Sequence, residues 1–223
     1  MSFRGGYPIF KSECRQYQDE VKRLLCHHFT DPEQVVVHWR AMADEMEYLG
    51  RSGRNRQRFR RTYGPEIDIA VGPFATHRRY NDEYDNLMAQ SRELIDRMML
   101  HHNSNLDDLD GPCSARADFE SLVAKNRNAR CFVAVEIEKG NRDIKYLVGS
   151  TFNACALARI GVVVAWNPVR LRQLFRVEAY LRFLAEAEKN TFEATNLIIL
   201  DKEQFIDAID GAGEREGRSM SRC

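Results

Sequence analysis

The second half of the chain alternates short apolar runs with longer stretches of helical spacing, and this alternation constrains the fold most. Cys131–Glu138 is the clearest strand pattern in the chain. Val162–Trp166 is continuously apolar, which is typical of a strand buried on both faces of a sheet. A third strand is predicted at Asn196–Leu200, and helical patterns separate the three. Such an order predicts an α/β sheet covered by helices.

Apolar periodicity predicts most of the remaining elements. Predicted helices cover Phe10–Phe29, Pro32 to about Leu49 (with Asp31 as N-cap), Tyr80–His101, Ala115–Asn126, Ser150–Arg159 (with Gly161 as its stop), Val169–Lys189 and Lys202–Ile209. A short strand is predicted at Ile67–Val71, and loops at Gly50–Arg61 and Asn103–Cys113. Because 223 residues fit one domain, we expect a single domain over residues 1–210. It would carry a helical insertion at about 78–128 and end in a flexible polar tail over 211–223.

Composition excludes several classes of protein. The chain is 43% hydrophobic and 30% charged, which suits a folded core rather than a disordered chain. No stretch approaches the roughly 20 apolar residues that cross a bilayer, and Met1–Phe10 lacks the pattern of a signal peptide. We therefore expect a cytoplasmic protein without a membrane partner. With 33 basic and 33 acidic residues, the net charge of zero does not bear on nucleic-acid binding.

Two of the predicted strands carry acidic residues within apolar runs. Asp68 lies between two isoleucines, and the period of two places Glu136 and Glu138 on the same face of their strand. Two carboxylates about 7 Å apart along a strand, joined by a third from a neighbouring strand, can converge on a divalent cation. Oxygen ligands favour Mg²⁺ or Mn²⁺, which polarises a phosphoryl group and activates a bound water. The alternative is that these acids only face water or cap a loop.

The arrangement resembles the PD-(D/E)XK nucleases, the restriction-endonuclease-like superfamily. That family has an α-β-β-β-α-β core, with an Asp at the start of one strand and an acid-x-Lys pair on the next. The resemblance spans roughly Ile67 to Trp166. It implies that Asp68 and Glu136 bind Mg²⁺ (or Mn²⁺). It also implies a central mixed sheet flanked by helices, with the helical insertion between the two acid-bearing strands.

The chain departs from the family pattern at the lysine. Glu138 stands at that position, and Lys139 would face the opposite surface of a regular strand. The resemblance keeps both as catalytic candidates: Glu138 as a second ligand or a water-orienting group, Lys139 as a cation brought in by a bulge. Lys145 is a second source of positive charge, and Glu20 or Glu45 would be the acid that the family often draws from its first helix.

An arginine-dense loop precedes the Asp68 strand. Six guanidinium groups fall within eleven residues, at Arg51, Arg54, Arg56, Arg58, Arg60 and Arg61. Such a loop can bind the phosphates of DNA and would make binding salt-dependent. The alternative is a solvated loop that balances the acidic stretches elsewhere in the chain.

Two classes of function remain open from the sequence. The first is metal-dependent phosphodiester hydrolysis of DNA, the activity of a Mg²⁺-dependent deoxyribonuclease. The second is a catalytically inactive module of the same fold that binds nucleic acid or protein, including a subunit of a restriction or defence assembly. The helical insertion could provide the contact with a partner subunit or with a second copy in a homodimer, or it could equally cover the core as a lid.

Overall fold

A computed structural model describes residues 12–29, 32–41, 64–74, 81–109, 116–124, 126, 129–140, 143–187 and 194–219. Its strands are β1 (Val35–Arg40), β2 (Glu66–Val71), β3 (Cys131–Glu138), β4 (Ala158–Ala165) and β5 (Leu197–Asp201). Its helices are α1 (Glu13–His28), α2 (Asn81–Gln90), α3 (Arg92–Asp108), α4 (Phe119–Ala124), α5 (Ile144–Leu157), α6 (Pro168–Glu186) and α7 (Lys202–Ser219). The α/β class predicted from the sequence is confirmed.

The strands form one five-stranded mixed sheet in the order β1-β2-β3-β4-β5. β1, β2 and β3 pair antiparallel, whereas β3, β4 and β5 pair parallel through the crossover helices α5 and α6. Helices α2, α3 and α4 lie in the chain between β2 and β3. The carboxyl ends of the three parallel strands therefore share one edge of the sheet.

The alternation of side chains along β4 shows how the core is divided. Val162 and Val164 pack with α1, α3 and α7 on one face of the sheet, whereas Val163 and Ala165 pack with α5 and α6 on the other. All four side chains are fully buried. A strand buried on both faces accounts for the continuous apolar run seen in the sequence. Among the described residues, no helix is long and apolar enough to cross a membrane.

The helix predicted from Pro32 to about Leu49 is wrong over Pro32–Arg40, and residues 42–49 lie outside the described residues. Pro32–Gln34 forms a single turn of 3₁₀ helix, and the chain then enters β1. β1 opens with three consecutive valines, whose branched side chains favour a strand. It pairs with β2 from Val35 opposite Val71 to Arg40 opposite Glu66. Pairing with a distant strand thus outweighs the local helix-start signal.

The predicted helix Tyr80–His101 and the loop that follows it also need correction. The structure has two helices that meet at Ser91, and the second continues to Asp108, through part of the predicted loop. Asn residues there bond to distant segments rather than breaking the helix. Asn103 exchanges two hydrogen bonds with the Ala117 backbone, of 2.8 and 3.0 Å, and Asn105 bonds to Gln204. These partners satisfy the amides that would otherwise favour a turn.

Three boundaries in the second half differ from the sequence prediction. α5 begins at Ile144, before the predicted Ser150, and β4 begins at Ala158. Gly161 lies inside β4 rather than ending the helix, because β4 pairs with β3 along its length. α7 continues to Ser219, beyond Gly211, where the sequence pattern suggested the polar tail.

Candidate acidic site

The backbone ladder between β2 and β3 ends beside the predicted acids. Its pairs run from Val71 opposite Val133 to Ile69 opposite Val135. The same register places Asp68 opposite Glu136. There the Asp68 carboxylate accepts the backbone N–H of Ile137, with Oδ2 at 2.8 Å from the nitrogen. A side-chain oxygen thus satisfies a strand N–H where regular pairing has stopped.

Gln18 holds the other oxygen of Asp68. Its Nε2 donates to Asp68 Oδ1 at 3.0 Å, and only 7% of the Gln18 residue is exposed. Sequence analysis did not identify Gln18. A signal was present, because Gln18 lies on the buried face of α1 with Val21 and Leu25, at helical spacing. A polar residue on a buried face requires a hydrogen-bond partner.

Glu136 is the most perturbed acid of the site. Burial raises the pKa of its carboxyl well above the ordinary value, and the charges of Asp68 and Glu138 raise the pKa further. A hydrogen bond between the Asp68 and Glu136 side chains favours the protonated form of Glu136 in the same direction. The structure therefore brings the predicted Asp68 and Glu136 into contact, with Glu138 close enough to interact through its charge.

Glu138 completes the acidic group and Glu66 does not join it. Glu138 is 4% exposed, and its backbone carbonyl accepts the N–H of Trp166 at 3.1 Å. Glu66 instead bonds to Arg40 at 2.8 Å and lies 3.1 Å from His38 Nδ1. The contact with Arg40 holds the pKa of Glu66 below its ordinary range. We call Asp68, Glu136 and Glu138 the acidic cluster.

The lysines suggested by the sequence do not contact the acidic cluster. Lys139 is exposed, and its Nζ lies 5.5 Å from the centroid of the Trp166 ring. Lys145 pairs with Asp143 at 3.6 Å. The structure shows a further lysine that the sequence analysis missed, Lys202, whose Nζ lies 5.1 Å from the Trp166 ring centroid.

The remaining candidates fall away from the cluster or outside the described residues. Glu20 is exposed and pairs with Arg23 at 2.7 Å on the same helix. Glu45 lies outside the described residues. So does the whole arginine loop, with Arg51, Arg54, Arg56, Arg58, Arg60 and Arg61.

The chemistry of the acidic cluster suits a hard cation. Its side-chain donors are all carboxylate oxygens, the ligands that Mg²⁺ and Mn²⁺ prefer. Two ionised carboxylates in contact repel each other, and either a proton or a cation relieves that repulsion. Within the parts of the chain that the structure describes, no three His, Cys, Asp or Glu side chains already stand in a metal-binding arrangement. Burial and the neighbouring charges favour a proton on Glu136, and a bound ion would have to replace that proton.

Comparisons of the chain with protein-family models, with curated proteins and with solved structures find no match.

Proposed function

We propose that this chain is a metal-dependent phosphodiesterase that acts on DNA. The observation that carries the proposal is the contact between Asp68 and Glu136, two acids far apart in sequence that share the opened end of the β2–β3 ladder. Glu138 adds a third carboxylate two residues along β3. This is the donor set expected for Mg²⁺ or Mn²⁺ in phosphoryl chemistry.

The order of elements supports a restriction-endonuclease-like core. α1, β1, β2, β3, α5 and β4 follow one another as α-β-β-β-α-β, the order of that superfamily, once α2–α4 are treated as an insertion. The acids fall on the two strands where the resemblance requires them. This agreement in order and position supports the proposed fold family together with the proposed activity.

The proposal assigns a role to each residue of the acidic cluster and to Gln18. Asp68 and Glu136 would hold the ion, and Glu138 would either bind it or orient a water. Gln18 donates to Asp68 Oδ1 and the Ile137 N–H to Oδ2, so the oxygen positions are set before the ion arrives. The ion would polarise the phosphoryl group and lower the pKa of a bound water.

The proposal is tested by cleavage of plasmid and linear DNA with Mg²⁺ or Mn²⁺ and with a chelator. We expect Asp68→Asn and Glu136→Gln to lower the cleavage rate about 100-fold or more, because each removes a charge that holds the ion. Glu66→Gln is the matched control, since this acid lies on β2 but pairs with Arg40. Equal activity in the wild type and in both acid variants would overturn the proposal.

A second candidate function is a catalytically inactive module of the same fold. Two features favour it. Glu138 occupies the family's lysine position. Lys139 lies near Trp166 and Lys145 pairs with Asp143, so neither lysine contacts the acidic cluster. Calorimetric titration with Mn²⁺ separates the two candidates. Saturable binding that Asp68→Asn abolishes supports the enzyme, whereas wild-type protein that binds no Mn²⁺ supports the inactive module.

A further inference from the structure

An aromatic residue lies at the sheet edge next to the acidic cluster. Trp166 follows β4, and its backbone N–H donates to the Glu138 carbonyl at 3.1 Å. Its ring meets Tyr17 edge to face, with centroids 5.6 Å apart at 81°. The Tyr17 hydroxyl in turn donates to the backbone carbonyl of Lys202 at 2.9 Å. β4, α1 and the start of α7 therefore fix the position of this ring beside Glu138.

Two ammonium groups lie near the Trp166 ring. Lys139 Nζ lies 5.5 Å and Lys202 Nζ 5.1 Å from its centroid, within the ~6 Å range of a cation–π contact. Lys139 is exposed, and its described contact is with the Trp166 ring and not with a carboxylate. Lys202 pairs with the exposed Glu203 at 3.0 Å, a contact of a kind that contributes little. An anionic ligand could therefore contact the exposed Lys139 directly and could take the place of Glu203 at Lys202.

We propose that Trp166, Lys139 and Lys202 form a subsite for an unpaired nucleotide of single-stranded DNA. The exposed part of the indole stacks on the base, while the two ammonium groups contact the flanking phosphates. This inference deepens the proposed function, and its choice of DNA as the ligand rests on that function. The bases of a duplex already stack on one another, so a duplex offers no free base face to Trp166.

Electrostatics favours this placement. The acidic cluster repels a phosphate chain unless a cation neutralises it, and the neighbouring Lys139 and Lys145 lie near Trp166 and Asp143, respectively. Lys139 directly follows Glu138, and Lys202 opens α7 at the same edge of the sheet. Their charges offset the repulsion at the point where the strand would leave the cluster.

Binding is measured without cleavage, in a chelator, by tryptophan fluorescence. The chain has two tryptophans, and Trp39 is buried and stacked on Phe74. In a Trp39→Phe variant, which leaves only the Trp166 signal, we expect an oligothymidylate of about twelve nucleotides to quench the fluorescence. A blunt duplex of the same length should quench it less. In a chain that keeps Trp39, Trp166→Leu should weaken oligothymidylate binding about tenfold. The anisotropy of a labelled oligonucleotide measures this affinity.

The lysines are tested by the dependence of affinity on salt. Lys139→Ala with Lys202→Ala should lower the slope of log affinity against log salt by about 1.4, at about 0.7 for each phosphate contact on a single strand. Lys145→Ala is the matched control, because this exposed lysine lies near the ring of Tyr146, 5.2 Å from its centroid, and not near Trp166. Thermal melting confirms that each variant folds.

The outcomes separate the subsite from the enzyme. If the protein cleaves DNA but these substitutions leave single-strand affinity and its salt slope unchanged, the subsite is overturned and the phosphodiesterase stands. If Trp166 and the lysines carry single-strand binding but no cleavage occurs with either ion, the subsite stands and the phosphodiesterase fails. Tighter binding of a duplex, or of an oligouridylate of equal length, overturns single-stranded DNA as the ligand.

Discussion

The Glu136 carboxyl links the acidic cluster to the stability of the fold. Burial raises its pKa in the folded chain, and the charges of Asp68 and Glu138 act in the same direction. A carboxyl whose folded pKa lies above its unfolded value stabilises the fold fully at pH values below the unfolded pKa. That contribution is lost as the pH rises through the folded pKa. Without metal, ionisation of this group therefore opposes folding.

Glu136→Gln should remove this loss of stability. In the presence of a chelator, we expect the variant to become more stable relative to the wild type as the pH rises from about 5 to about 8. The quantity compared is the free energy of unfolding. Urea denaturation at several pH values measures the difference. Glu66→Gln is the control, because the pKa of Glu66 is lowered rather than raised. Parallel profiles for Glu136→Gln and wild type would contradict the prediction.

Gln18 acts on the cluster through its hydrogen bond to Asp68. Removing its amide leaves Asp68 Oδ1 without this donor, so the carboxylate is held less firmly. Gln18→Ala should weaken Mn²⁺ binding about tenfold, as measured by calorimetry. Gln16→Ala, at an exposed position of the same helix, should leave the affinity unchanged. Equal Mn²⁺ affinity in both variants would show that Gln18 does not position Asp68.

At the scale of elements, the packing of α5 on β4 depends on a glycine. A Cβ at Gly161 would lie 2.8 Å from the carbonyl carbon of Ala154 and 2.9 Å from the backbone nitrogen of Cys155, both in α5. Neither atom can move without displacing the helix. The glycine that the sequence pattern suggested as a helix stop is thus required by the close approach of a helix to a strand.

Gly161→Ala should destabilise the fold by about 1–3 kcal/mol, because the helix must shift to admit the methyl group. Gly149 provides the contrast, since a Cβ at this position within α5 meets nothing within 4 Å. Gly149→Ala should stabilise the fold by about 0.5–1 kcal/mol through the higher helix propensity of alanine. Denaturant unfolding of both variants is the test, and a harmless Gly161→Ala would disprove the tight approach.

At the scale of the whole molecule, an ion pair with one buried partner joins the inserted helices to the sheet. The Arg159 side chain, on β4, is completely buried, and its NH2 nitrogen lies 2.5 Å from Asp85 Oδ1 on α2. Asp85 itself is 45% exposed at its side chain. Taking a guanidinium out of water is costly, so the carboxylate is needed where β4 meets the insertion.

Asp85→Ala should destabilise the fold by about 1–3 kcal/mol, less than the loss of a fully buried partner because Asp85 is half exposed. Asp96→Ala is the control, since its pair with Arg92 is exposed on one helix and should be worth about 0.5 kcal/mol or less. Chemical denaturation compares the two. Adding Arg159→Met to Asp85→Ala should recover part of the loss, and equal effects of Asp85→Ala and Asp96→Ala would contradict this role.

Helical and strand periodicities are patterns of residues that are close in the chain, so the sequence alone predicted many of the helices and strands. The bounds of β3 agree with the sequence prediction, and α1, β2, β5 and α6 lie within a few residues of it. β1 was not predicted from the sequence, because Pro32 signals a helix start. Pairing with β2 decides in favour of the strand that the valine run also favours. The Asn-rich end of α3 likewise depends on partners remote in the chain.

The chain by itself specified the α/β class and the acids on two strands, since burial and alternation are properties of short segments. Only the tertiary structure decided that β2 and β3 separate at Asp68, that Gln18 and the Ile137 N–H bind its carboxylate, and that Lys202 meets Trp166. Those contacts join residues separated by long stretches of chain. Their register follows from how whole elements pack, which no local pattern contains.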